Sequence, residues 1–190
     1  SYMHRTKTTA QQMALVSVKN HGNAFKNPLS QLPLKIAVQD VLQSEMIADP
    51  LHKLDCSPVS DGCAAVIIAH ESVAEKFKQQ PVWIKGVSFC ADSFFFGDRD
   101  LSHARSLAEA AKKAYAMAGI RDPKKEIDVA ELYDAFTYQE LLWLEEMGLA
   151  DDATAGKLLE KGEFNIDGRL PVNASGGLLS GHPVIAAGLY

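Results

Sequence analysis

This chain of 190 residues has no excess of basic charge: 19 Lys and Arg stand against 24 Asp and Glu, a net charge of -5. A balance of that sign offers no footprint for a phosphate backbone, which argues against nucleic acid as a partner. Long apolar runs are missing too. The longest, residues 63–69, falls far short of the roughly 20 apolar residues that a membrane span requires. The three cysteines, Cys56, Cys63 and Cys90, are odd in number and lack the paired spacing of a disulfide framework or a zinc site. That pattern fits a reducing cytoplasm, and each thiol reads as a small buried residue rather than a nucleophile.

Several common chemical signatures are absent as well. No G-x-G-x-x-G occurs, and His70-Glu71 lacks the second histidine of a zinc-protease helix. The segment GGLLSG at 176–181 has phosphate-loop glycine spacing, but His182 follows where Lys-Ser/Thr is needed. No secretory segment opens the chain, and residue 190 falls inside an apolar stretch from 184 that reads as a helix just begun. A piece of a longer protein is therefore expected.

What is there is a globular composition, 47% hydrophobic and 23% charged. Residues 8–18 space their apolar positions as a helix does, with a stop signal at His21-Gly22-Asn23. Residues 35–43 suit a short helix or a strand, and 71–78 suit a helix. The turn cluster 57–62 feeds an apolar run at 63–69, which predicts a strand buried on both faces. Residues 82–90 are rich in β-branched and aromatic side chains and predict another strand, as does 127–132. The clearest helical stripe is Leu101, Ala104, Leu107, Ala108, Ala111, Ala114 and Tyr115, with Asp100 or Ser102 as a possible cap and Gly119 as the stop. Helices are also predicted at about 135–147, stopped by Gly148, and about 152–161, stopped by Gly162. Alternating strands and helices predict an α/β architecture with covered sheets.

The chemistry concentrates near the end of the chain. Glycines at 176, 177 and 181 let the backbone approach another group closely, and Pro183 suits the first turn of a helix, placing His182 near its N-cap. The partial positive charge at a helix N-terminus disfavours imidazolium, so a histidine there can accept a proton from a nucleophile or a carbon acid; it can equally be a plain cap.

The run NASGGLLSGHP at 173–183 resembles the "N-x-x-G-G … G-H-P" segment of thiolases. SDGCAA at 60–65 is similar to their "SDGAAA", and ELYDAF at 131–136 is similar to their "E-x-H-D-C-F" or "N-E-A-F". Three motifs in order span most of the chain, and the opening residues are similar to the sterol-carrier-type and archaeal-type acetyl-CoA acetyltransferases. The resemblance implies a layered αβαβα fold with duplicated α/β halves, here incomplete. Residues 1–85 would end the first half, and 86–190 would form most of the second. It implies acyl transfer on acyl-CoA, by thiolysis of a 3-ketoacyl-CoA or by Claisen condensation. CoA enters as a substrate, and no metal or prosthetic group is needed. His182 would be the base that activates a cysteine lying upstream of residue 1, and without that cysteine the piece alone would not turn over. Asn173, Gly176, Gly177, Gly181 and Phe136 would line the substrate. A homo-oligomer is implied, with a small zinc-containing acyl-CoA-binding protein as a possible partner.

Two departures bear on mechanism. Tyr133 and Ala135 replace the histidine and the acid/base cysteine of the sterol-carrier type. Tyr133 could donate a hydrogen bond to a thioester or ketone oxygen, or could be a packed aromatic. Asp134 reads as a structural helix cap. The spacer Leu178-Leu179-Ser180 is one residue shorter than most thiolases carry, which predicts a tighter loop before His182. These departures leave open a thiolase-fold retro-aldolase and a non-catalytic subunit that binds CoA esters or scaffolds a complex.

Overall fold

The computed structural model describes residues 1–74, 76–77 and 80–181. His182 and the helix expected after it lie outside the described residues. In chain order the helices are α1 (Tyr2–Thr6), α2 (Ala10–Ala24), α3 (Val38–Gln43), α4 (Glu71–Ala74), α5 (Arg105–Ala118), α6 (Pro123–Glu126), α7 (Thr137–Glu146) and α8 (Ala155–Glu160). Strands β1 (Met46–Ala48) and β2 (Leu51–His52) pair antiparallel.

Helix α2 is the central element, and its first turn shows why the chain turns helical there. The Thr9 hydroxyl accepts from the Gln12 amide at 3.2 Å, and the Gln12 side chain accepts from the Thr9 amide at 3.0 Å. Two otherwise orphaned N–H groups are thereby satisfied at once. α8 comes close to this turn because residue 156 is glycine: a Cβ there would stand 2.7 Å from Gln12 Oε1. The stop signal expected at His21-Gly22-Asn23 does not end the helix, which runs to Ala24. His21 and Asn23 are held from outside instead: the His21 Nδ1–H donates to the Leu32 carbonyl at 2.9 Å, and Asn23 Nδ2 donates to the Asn173 carbonyl at 3.0 Å.

The core packs Met13 and Val16 of α2 against Leu141 and Leu144 of α7, with Leu149, Phe164, Leu170 and Val172 completing it. α5 forms where the apolar stripe predicts it, and Gly119, at φ 77°, ends it in the left-handed conformation glycine tolerates best. Its N-cap is Ala104 rather than Asp100 or Ser102. Asp100 instead accepts from the Ser102 amide and hydroxyl, at 2.9 and 2.7 Å. The 35–43 segment resolves as helix, over its second half.

The strands expected at 63–69 and 82–90 do not form. Strand hydrogen bonds run between segments, and these two stretches have no ladder partner among the described residues. Their apolar side chains stand in the open, with Ile67 87% and Val82 96% exposed. Cys63 and Cys90 are exposed for the same reason, against the expectation of buried thiols, and Cys56 is half-buried. The strand expected at 127–132 reduces to a parallel bridge between Ala130 and Val172, which puts 131–136 beside the loop that starts at Asn173. A second bridge, Cys56 with Phe136, ties the same segment to the end of the β1–β2 hairpin region. None of the described helices is long and apolar enough to cross a membrane.

Candidate functional site

The segments 131–136 and 173–181, which carry two of the three motifs, meet over a buried polar cluster. Asn173 is fully buried; its Nδ2 donates to Glu140 Oε2 at 2.7 Å and its Oδ1 accepts from the Leu132 amide at 2.6 Å. Asn20 Nδ2 donates to both Asp134 Oδ2 and Glu140 Oε2, at 2.7 and 2.8 Å. The Lys19 ammonium sits 3.1 Å from Glu140 Oε1 and donates to the Val172 carbonyl at 2.7 Å. One cation thus faces two buried carboxyl groups. Burial first, and then the Glu140 charge, push the Asp134 carboxyl up to about 8, so it holds its proton at neutral pH and the cluster stays balanced.

Asp134 also caps, although not its own helix. The N-cap of α7 is Phe136, whereas Asp134 Oδ1 accepts from the Leu178 amide at 2.6 Å and opens the 3₁₀ turn Leu178–Ser180. The expected structural role holds, on a different element. The short spacer is this single turn, with Leu178, Leu179 and Ser180 all buried.

The glycines explain how the loop comes so close. Gly177 adopts φ 63°, ψ -169°, a region open in practice to glycine alone, and a Cβ there would lie 2.4 Å from Asp134 Oδ2. At Gly176, φ is 104° and a Cβ would lie 2.8 Å from the Ala24 side chain. Outer contacts complete the clamp. Glu131 accepts from the Ser175 amide and hydroxyl at 3.0 and 2.7 Å, Asn27 donates to the Ser175 carbonyl at 3.0 Å, and Ser30 donates to the Ser180 carbonyl at 3.0 Å. Gly181 ends the described loop with Gln31 Cβ 3.1 Å from where its Cβ would be.

Tyr133 is brought to this site as an accessible side chain, 47% exposed. It shares a cleft of about 690 Å³ with Glu131, Tyr138, Trp143, Leu107 and His103. The Trp143 indole donates to the Tyr133 carbonyl at 2.6 Å, which pins its backbone. An exposed phenol on a partly apolar cleft can meet the oxygen of a ligand, and that placement departs from a packed aromatic. Phe136 lies apart from the cleft lining and stacks on Tyr138, with ring centroids 6.1 Å apart.

Of the residues expected at the site, Asn173 and Gly177 therefore join at the Asp134–Glu140 cluster, Gly176 packs against Ala24, and Tyr133 flanks the cluster. Asn173, Gly176 and Gly177 are buried, and the contacts they make are with the protein itself. Lys19, Asn20, Glu131 and Glu140 were not singled out. A signal existed for three of them: Lys19-Asn20 interrupts the apolar periodicity of α2, and Glu140 precedes Leu141-Leu142 on a helix face that is otherwise core.

The profile of the thiolase C-terminal domain-like family matches residues 90–190. The chain is 40% identical over 190 residues to an acetyl-CoA acetyltransferase of Methanothermobacter thermautotrophicus, covering 99% of this chain and 49% of that protein. It is 35% identical over 198 residues to sterol carrier protein 2 of Bos taurus, covering 99% of this chain and 36% of the relative. It spans about half or less of the length of such curated relatives. Among solved structures, an Ltp2-ChsH2(DUF35) aldolase superposes with a TM-score of 0.83 at 27% identity, over 94% of this chain and 48% of that one. With the motif segments 131–136 and 173–181 meeting on one polar cluster and a family profile covering 90–190, the chain belongs to the thiolase family and has its α/β fold.

Proposed function

We propose that the chain is part of a thiolase-type acyltransferase that makes or breaks the C2–C3 bond of a CoA thioester. In this reading residues 1–85 end one α/β half and 86–190 form most of the other. His182 takes the proton of a cysteine supplied by the remainder of the protein. In thiolysis the thiolate attacks the C3 ketone, the C2–C3 bond breaks, the CoA thioester carrying C2 leaves with a proton returned to C2, and the acyl group passes to the thiol of CoA. In condensation the thiolate attacks an acyl-CoA thioester, CoA leaves as the thiol, and the acyl group passes to the α-carbon of a second acyl-CoA as that carbon gives up a proton. Tyr133 donates a hydrogen bond to the carbonyl oxygen on which charge develops. The observation that carries the reading is the clamped loop 173–181. Seven hydrogen bonds with Asp134, Glu131, Asn27, Ser30, Asn23 and Glu140, five of them to main-chain atoms of the loop, hold the segment that leads directly to His182. Such rigidity suits a base that must meet its nucleophile within a few tenths of an ångström.

The test is thiolysis of acetoacetyl-CoA and of a longer 3-ketoacyl-CoA by the full-length protein and its His182→Ala variant. Loss of turnover by about 10²–10⁴-fold is expected for removal of a general base. Undiminished turnover in the variant overturns the reading.

A second reading, retro-aldol cleavage of a 3-hydroxyacyl thioester, draws on two observations. Tyr133 stands in the cleft with Ala135 beside it in place of an acid/base cysteine, and the well-superposed solved structure is an aldolase. That structure's two component names, Ltp2 and ChsH2(DUF35), also support a partner subunit here, beside homo-oligomerisation. Cleavage of a 3-hydroxyacyl-CoA in the absence of free CoA, lost in Tyr133→Phe, separates the two reactions.

A further inference from the structure

His103, which lines the cleft beside Tyr133, belongs to a polar pair that neither reading uses. His103 lies just before α5 and Glu146 is the last residue of α7; His103 Nδ1 and Glu146 Oε1 are 2.7 Å apart. The Glu146 side chain is 10% exposed and that of His103 is 33% exposed. An ionised carboxylate only accepts, so this contact makes Nδ1 the protonated nitrogen. In the neutral ring Nε2 is then left with a lone pair, and it has no hydrogen-bond partner among the described residues. His103 and Tyr133 both line the same cleft of about 690 Å³. Its apolar wall, with Leu101, Leu107, Leu142 and Met147, has the capacity of sites that hold drug-sized ligands, well beyond a two-carbon acyl group. The cleft therefore combines apolar room, the phenols of Tyr133 and Tyr138 as donors, and the His103 imidazole as an acceptor beside the Asp92 and Glu131 carboxylates.

We propose that His103, oriented by Glu146, is a specificity-determining residue that accepts a hydrogen bond from a hydroxyl group on the acyl part of a thioester bound in the Tyr133 cleft. The substrate class is a 3-hydroxyacyl thioester. Both reactions considered above act at the C2–C3 bond, so C3 is where an oxygen must sit. Tyr133 serves the thioester carbonyl as a donor, and a ketone at C3 would present only lone pairs, as Nε2 does whenever the ring is in its Nδ1–H neutral form. A hydroxyl satisfies that nitrogen; a methylene leaves it desolvated and unpaired. The inference rests on the cleft being an acyl-thioester site, and it favours the substrate of the second reaction.

The experiment is equilibrium binding to the full-length protein of three probes with the same chain: 3-hydroxyoctanoyl-CoA, 3-oxooctanoyl-CoA and octanoyl-CoA. Isothermal calorimetry gives the Kd of each for wild type, His103→Phe and Glu146→Gln. Wild type is expected to bind the hydroxy compound about tenfold or more tighter than either other probe, as a site built around a substrate hydroxyl does. His103→Phe should bring the three within about threefold of one another, and Glu146→Gln should give an intermediate ratio because the ring loses its fixed tautomer. A purely structural role for the pair would weaken all probes alike and leave the ratio unchanged, and that result overturns the proposal. Equal binding of the three probes by wild type overturns it without any variant. If none of the three binds, the acyl-thioester reading of the cleft fails, and the proposal with it; thiolysis or aldol cleavage measured with the same wild-type protein shows whether the reaction reading survives.

Discussion

Gly177 offers the sharpest test of how the loop before His182 is held. Replacing it with alanine adds one methyl group at φ 63°, ψ -169°, a conformation that costs a side-chain-bearing residue about 1–3 kcal/mol. The same methyl would lie 2.4 and 2.5 Å from the two Asp134 carboxyl oxygens. Neither oxygen can yield freely, since Oδ1 holds the Leu178 amide and Oδ2 holds Asn20 Nδ2. Relief requires breaking one of these bonds in a fully buried setting, at about 1–3 kcal/mol for the group left unpaired. Gly177→Ala is therefore expected to destabilise the fold by about 2–6 kcal/mol. Urea denaturation followed by far-ultraviolet circular dichroism measures this. The internal control is Gly22→Ala, within α2, where nothing stands within 4 Å of the new methyl; alanine there should stabilise by about 0.5–1 kcal/mol. A Gly177→Ala midpoint indistinguishable from wild type, with the Gly22→Ala gain observed, refutes the clamp.

The same cluster yields two more predictions. Asp134 has its folded-state pKa raised to about 8, against about 3.9 unfolded. The folded state therefore binds more protons than the unfolded state between those values. The contribution of this group is fully present below about pH 4, falls as pH rises, and is lost above about pH 8. Asp134→Asn should flatten that fall, read as the difference in urea midpoint between variant and wild type across pH 5–9; parallel curves would refute the buried proton. Asn20→Ala strips a donor from both Asp134 and Glu140 and should cost about 2–4 kcal/mol, beyond the loss of packing alone. Asn20→Asp, in contrast, adds a third carboxyl beside them and should be worse than Asn20→Ala; denaturation midpoints in the opposite order would count against the cluster's charge balance.

How much of the site could be read in advance follows from where its information lies. The glycine run at 176–181 and the ELYDAF segment are local signals, visible because glycine and a short acidic-aromatic motif are informative without neighbours. Lys19, Asn20 and Glu140 were not legible as a set, since they are 121 and 120 positions apart in the chain and only helix packing of α2 on α7 brings them together. A hint was present in the polar interruptions of two apolar helical faces. It does not say which interruption meets which.

Sequence by itself determined the helices with strong stripes and glycine stops, α5 and α7 above all, because helical hydrogen bonds close within one segment. Motif order was equally local, and it sufficed for the family. The strands were not decided that way: 63–69 and 82–90 carry β-branched side chains and form no ladder among the described residues, since a ladder needs a second segment that preference alone cannot supply. Tertiary structure alone decided the role of Asp134. Its partners come from Leu178 and Asn20, and its retained proton comes from burial beside Glu140. Electrostatics of that kind depend on what surrounds a group in space, and sequence neighbours do not report it.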